Sequence, residues 1–86
     1  MSLNFDPNQN CYLFNKKESV PLIFIHGVGL DHRMWNGQIS YFNEYSTLAY
    51  DLLGHGKTPY IKDKLNLRDF SNQLLEILKI VIFLLQ

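Results

Sequence analysis

His26-Gly27-Val28-Gly29, placed directly after the apolar run Leu22-Ile23-Phe24-Ile25, is the part of the chain best suited to chemistry. Glycines at the end of a strand let the backbone turn sharply, through φ values other residues resist, and let a ligand approach the main chain. Such a turn can aim peptide N–H groups at a developing negative charge, the kind of charge an acyl-transfer intermediate carries on its oxygen. A second segment, Asp51-Leu52-Leu53-Gly54-His55-Gly56, follows another short apolar stretch, with Trp35 between the two. Asp51 is suited to hold the Gly54-His55-Gly56 loop by accepting backbone N–H groups. Trp35, Met34 and Tyr60 can line an apolar substrate pocket, against the commoner fate of such side chains as core.

Other chemistries fit less well. His26 and His55 end neighbouring strands, but a metal site wants a third ligand at helical or short-loop spacing, and only Asp51 and Asp31 are at hand. Loop hydrogen bonds are the expected use of both histidines, with no metal and no cofactor. Gly27-x-Gly29 after a strand, with Asp51 further on, touches the dinucleotide fingerprint, yet His32 occupies the third glycine position. Eight acidic residues balance eight basic ones without a Lys/Arg stripe, which excludes an electrostatic nucleic-acid surface. One cysteine cannot form an internal disulfide, and the first residues lack the basic and apolar regions of a secretory signal. The cytoplasm is the expected compartment.

These segments need elements to hold them. Residues 3–5 and 11–14 read as two short strands around the turn-forming Asp6-Pro7-Asn8-Gln9-Asn10. Residues 21–25 suit a strand covered on both faces in a parallel sheet, and residues 46–50 a second. Asp31 can cap a helix over residues 32–41, weakened in the middle by Gly37. From the cap Asn66 onward, Leu67, Phe70, Leu74, Leu78, Val81 and Leu85 recur at spacings of three or four, which aligns them on one helix face. The β-branched run at residues 80–85 also suits a strand, but no turn residue separates it from the helix, which favours a helix continuing to the end. Residues 74–85 are too short and too interrupted by charge to span a bilayer.

The order of strand, His-Gly-x-Gly, tryptophan, strand and Asp-x-x-Gly-His-Gly resembles the α/β-hydrolase superfamily, in particular its esterase, lactonase and C–C-bond hydrolase branches. The likeness runs over residues 20–78. It implies an α/β fold: a partial α/β-hydrolase sheet with a short leading β-hairpin, two parallel strands, a crossover helix and a C-terminal amphipathic helix. The crossover helix is expected on one face, with the other poorly supplied. The resemblance further implies that the residue after His-Gly gives a backbone N–H to an oxyanion hole, a role that falls on Val28 or, second, Gly29. In the superfamily a Gly-x-Ser-x-Gly turn, an acid and a histidine complete the machinery. None of Ser2, Ser19, Ser40, Ser46 and Ser71 stands in that pattern, Cys11 lies upstream without glycine neighbours, and Thr58 stands where relatives often carry serine.

Residues 1–86 are therefore expected to form a single incomplete hydrolase segment, truncated before the nucleophile turn and inactive alone, whose complete enzyme takes a small ester-like substrate. Two alternatives remain. One is a non-catalytic module that pairs, with itself or a relative, through an open strand edge and the apolar C-terminal segment. The other is a non-functional truncated product with too small a core to fold.

Overall fold

The computed structural model describes residues 2–86. Strands β1 (Asn4–Phe5), β2 (Cys11–Asn15), β3 (Leu22–Ile25) and β4 (Thr47–Tyr50) form one sheet in the order β1-β2-β4-β3. β2 is antiparallel to both β1 and β4, and β3 runs parallel to β4 in the register Leu22 to Thr47 through Ile25 to Tyr50. All four residues of β4 are buried, as its near-continuous apolar sequence requires of a central strand.

Side chains alternate between faces along each strand, so the sheet feeds two cores. Tyr12, Leu48 and Tyr50 meet Ile77 and Val81 of helix α2 (Leu67–Leu84), while Leu13 and Ala49 meet Ile39 of helix α1 (Asn36–Tyr41) with Leu3, Phe24 and Trp35 alongside. The expectation of one poorly supplied face is thus corrected in part: α2 covers β2 and β4 on the face opposite α1 and leaves β3 open there.

The helix expected over residues 32–41 is divided. His32–Trp35 form a 3-10 turn, Trp35 itself adopts φ −95° and ψ 6°, and only then does α1 begin. The Asp31 side chain caps the 3-10 turn by accepting the N–H of Arg33, as expected of it. His32 is meanwhile tied by its backbone and its ring to Asp51, which fixes this turn to the end of β4. Asn36 and Gly37 are poor helix formers and do little to carry the first turn smoothly into the second.

Helix α2 starts in a capping box: the Asn66 side chain accepts the N–H of Asp69, and the Asp69 carboxylate accepts the N–H of Asn66. It runs unbroken through residues 80–84, so the β-branched run is helical. Its fully buried line is Gln73, Ile77 and Val81, four residues apart, so of the stripe expected from spacing Val81 lies at the centre, Leu74, Leu78 and Leu85 pack at its edge, and Leu67 is 82% exposed. Leu74 and Leu78 flank that line half-buried, and Ile82 and Phe83 face outward.

Among the described residues no strand pairs with the outer edge of β3. Phe24 points into the α1 core, so Ile23 and Ile25 point to the α2 side, where α2 lies over β2 and β4 and leaves them 39% and 47% exposed. No helix of the described residues is long and apolar enough to cross a membrane.

Candidate functional site

Both glycine-rich segments fall at the same end of the sheet, after β3 and after β4. In the first, the carbonyl of Gly27 accepts the N–H of Leu30 at 3.2 Å and Gly29 takes φ +84°. Positive φ at the third residue of a four-residue turn defines type II, which is why glycine stands there. The Gly27 carbonyl is engaged internally, but the N–H groups of Val28 and Gly29 donate to nothing among the described residues. The Val28 side chain is 90% exposed.

His26 ties this turn to the next loop. Its Nε2 accepts the N–H of Leu52 at 2.9 Å, so Nδ1 carries the proton and donates to the carbonyl of Gly27 at 2.7 Å. His55 packs beside it with ring centroids 5.2 Å apart and donates through Nδ1 to the carbonyl of Leu53. Both histidines therefore make the loop hydrogen bonds expected of them, and their engaged nitrogens do not converge on an ion.

The 51–59 loop is organised around Asp51. One carboxylate oxygen accepts the N–H of His32 at 2.7 Å and its ring Nδ1–H at 2.8 Å; the other accepts the N–H of Lys57 at 2.9 Å. Burial pushes this carboxyl up, but the N–H groups of Lys57 and His32 and the His32 ring outweigh it and hold Asp51 below the usual carboxylate range. Gly56, with φ +51°, passes so close to the carboxylate that an added Cβ would overlap it. Cys11 is fully buried beside Asp51, and burial, followed by the neighbouring carboxylate, pushes its thiol up to about 11. Its backbone N–H donates to the hydroxyl of Thr58 at 2.9 Å, which gives that hydroxyl a structural use.

An apolar cavity of about 350 Å³ opens between the Val28 turn and the start of α2, walled by Ile25, Tyr50, Leu52, His55, Phe70 and Leu74. Trp35 and Met34 do not line it. Trp35 lies on the other side of the sheet, its ring 5.1 Å from that of Phe24, with Nε1 buried and unpartnered; Met34 is half exposed beside Gly29 and Leu30. The sheet separates this tryptophan from the cavity, so its place is core, and the apolar wall comes from α2 instead.

Sequence reasoning missed Gln73. It is fully buried; its Oε1 accepts the N–H of Leu53, and its Nε2 donates to the carbonyl of Asp51 and to Asn10 Oδ1. The available signal was its spacing of four from Ile77 and eight from Val81.

The chain has the fold of an α/β-hydrolase segment, as its likeness to solved structures shows. Its sequence is 33% identical over 76 residues to the (E)-2-((N-methylformamido)methylene)succinate hydrolase of Acinetobacter baylyi, a match over 87% of this chain and 29% of that protein. In structure it is similar to a hydrolase from Pseudomonas aeruginosa PA01, with a TM-score of 0.78 and 21% identity over 93% of this chain and 32% of that one. It is also similar to a thermophilic esterase from Thermogutta terrifontis, with a TM-score of 0.73 and 22% identity over 90% of this chain and 29% of that one. The chain thus spans less than a third of the relatives it matches. No family model matches it.

Proposed function

We propose that this segment supplies one side of the oxyanion hole of a hydrolase acting on an ester, lactone or related carbonyl, with Val28 N–H as the principal donor and Gly29 N–H beside it. The observation that carries this reading is the type II turn, which leaves both N–H groups undonated at the mouth of an apolar cavity. Acyl transfer places negative charge on the former carbonyl oxygen, and one fixed donor there lowers the barrier by about 3–4 kcal/mol. Hydrolase and esterase are also the activities that the names of the similar proteins carry.

Nucleophile, general base and acid are then supplied by chain outside these residues, since no Gly-x-Ser-x-Gly occurs among them. The free edge of β3 supports the same division, because it offers a parallel strand a place beside the oxyanion turn. The test is to join the 86 residues, in cis or in trans, to the downstream part of a complete α/β-hydrolase and follow hydrolysis of a short-chain p-nitrophenyl ester. The isolated chain should give no specific turnover and the complemented one should. Absence of any gain from a complex shown to form would overturn the proposal.

A second reading rests on the same edge together with exposed Ile82 and Phe83, which give a surface for pairing with another copy or a relative. Sedimentation that shows only monomer at high concentration would exclude self-association.

A further inference from the structure

The His26 and His55 pair lacks a third ligand, but the fold assembles another trio. Cys11 at the start of β2, His32 at the start of the 3-10 turn and Asp51 after β4 are all buried, and each offers a ligand atom within 4.8 Å of the other two. We propose that Cys11, His32 and Asp51 bind one divalent cation of the zinc type, which clips the two antiparallel strands and the 3-10 turn together at this end of the sheet.

The donor set is the first support. A thiol sulfur, an imidazole nitrogen and a carboxylate oxygen are the zinc ligands, and their mixture favours that borderline cation over magnesium or calcium, which take oxygen. The charge balances: thiolate and carboxylate together neutralise the ion, the thiol proton leaves to solvent, and the His32 proton moves from Nδ1 to Nε2.

The second support is space. Tetrahedral zinc with ordinary bond lengths sets its ligand atoms roughly 3.3–3.6 Å apart. The ligand atoms all lie within 4.8 Å of one another, so the wider separations must close by at most about 1.2–1.5 Å. The His32 Nδ1 to Asp51 Oδ1 contact, 2.8 Å, must open by about half an ångström. A cavity of about 280 Å³ walled by His32, Asp51, Gly56 and Lys57 reaches two of the three ligands from outside, with Cys11 buried behind them, and gives the ion an entry and a water its fourth position. Of the two cations on the same wall, Arg33 is paired with Asp31 at 2.8 Å, while Lys57 has no ion pair among the described residues and has to turn its ammonium outward to admit the ion.

The third support is position. The ligands come from three segments far apart in sequence that already meet through the His32–Asp51 hydrogen bonds and the bond from Asp51 N–H to the Cys11 carbonyl, and a metal that closes such loops adds to a core as small as this one.

Cobalt(II) is the probe for the test, titrated into the folded full chain under non-chelating, reducing conditions. Cys11 is the single cysteine, so a sulfur-to-cobalt charge-transfer band reports that residue alone. The expected result is saturation at one equivalent, visible absorption of tetrahedral intensity, displacement by Zn²⁺ and a higher Tm with Zn²⁺. Cys11→Ala should abolish the band, and His32→Gln, which keeps the thiol, should weaken binding at least about tenfold. Folding of each variant is checked by circular dichroism; if Cys11→Ala fails to fold, His32→Gln decides. No charge-transfer band with the folded chain, saturation at half an equivalent, or undiminished binding in folded His32→Gln would overturn the proposal.

Discussion

Gln73 Nε2 donates to the carbonyl of Asp51 at 2.9 Å, which sets an amide from the middle of α2 beneath the loop that leaves β4. With Leu53 and Asn10 as its other partners, this one side chain joins the helix, the 51–59 loop and the turn between β1 and β2. Gln73→Leu keeps the volume and takes a partner from a buried N–H, a buried main-chain carbonyl and the buried Asn10 Oδ1. Each such group costs about 1–3 kcal/mol, so urea denaturation should show a loss of about 3 kcal/mol or more. A loss below about 1 kcal/mol would mean that water takes over the bonds.

The glycines divide by what surrounds them. Gly56→Ala forces a Cβ into the Asp51 carboxylate at a positive φ, and should cost about 2 kcal/mol or more. Gly37→Ala, within α1 and with nothing near the added Cβ, should instead stabilise by about 0.5–1 kcal/mol. Parallel melts of the two variants check both signs at once.

Val28 occupies the second position of a type II turn, where proline is favoured. Val28→Pro therefore removes the N–H while preserving the turn. In the complemented hydrolase, kcat should fall about 10²–10³-fold with little change in Tm. Unchanged kcat would remove Val28 from the oxyanion hole.

The Asp69 carboxyl is held below its usual range, first by the N–H of Asn66 and then by Lys62 at 3.1 Å. A lowered folded pKa means that its support of the α2 capping box is complete above the ordinary carboxylate value and is lost as pH falls through the folded value. The helical signal at 222 nm should accordingly weaken at the acid end, below about pH 4. Asp69→Asn should flatten that acid limb; an identical limb in the variant would assign the transition to other carboxylates.

Much of this architecture was legible because it is local. The apolar runs at residues 22–25 and 47–50, the glycines that end them and the Asn66 cap each carry their meaning within a few positions. The role of Asp51 in its own loop was legible for the same reason, since its partner Lys57 is six residues away. Its partner His32 is nineteen residues away and was not, because that pairing exists only once β3 and β4 lie side by side. Gln73 stayed hidden because a glutamine at helical spacing reads as solvent-facing until two distant loops bring it partners. Trp35 stayed open between pocket and core for a related reason: its residue type suits either, and only the hand of the crossover decides.

The sheet order also dictates when the chain can fold as it leaves the ribosome. β4 is the last of these four strands to be made and the one on which both β2 and β3 depend for pairing. Until residue 50 has emerged, the nascent chain can form only the two-residue hairpin contact between β1 and β2, while Leu22–Ile25 wait without a neighbour. Leu13–Asn15 of β2 and the whole of β3 therefore wait unpaired until β4 emerges, and that is the interval a chaperone would have to guard.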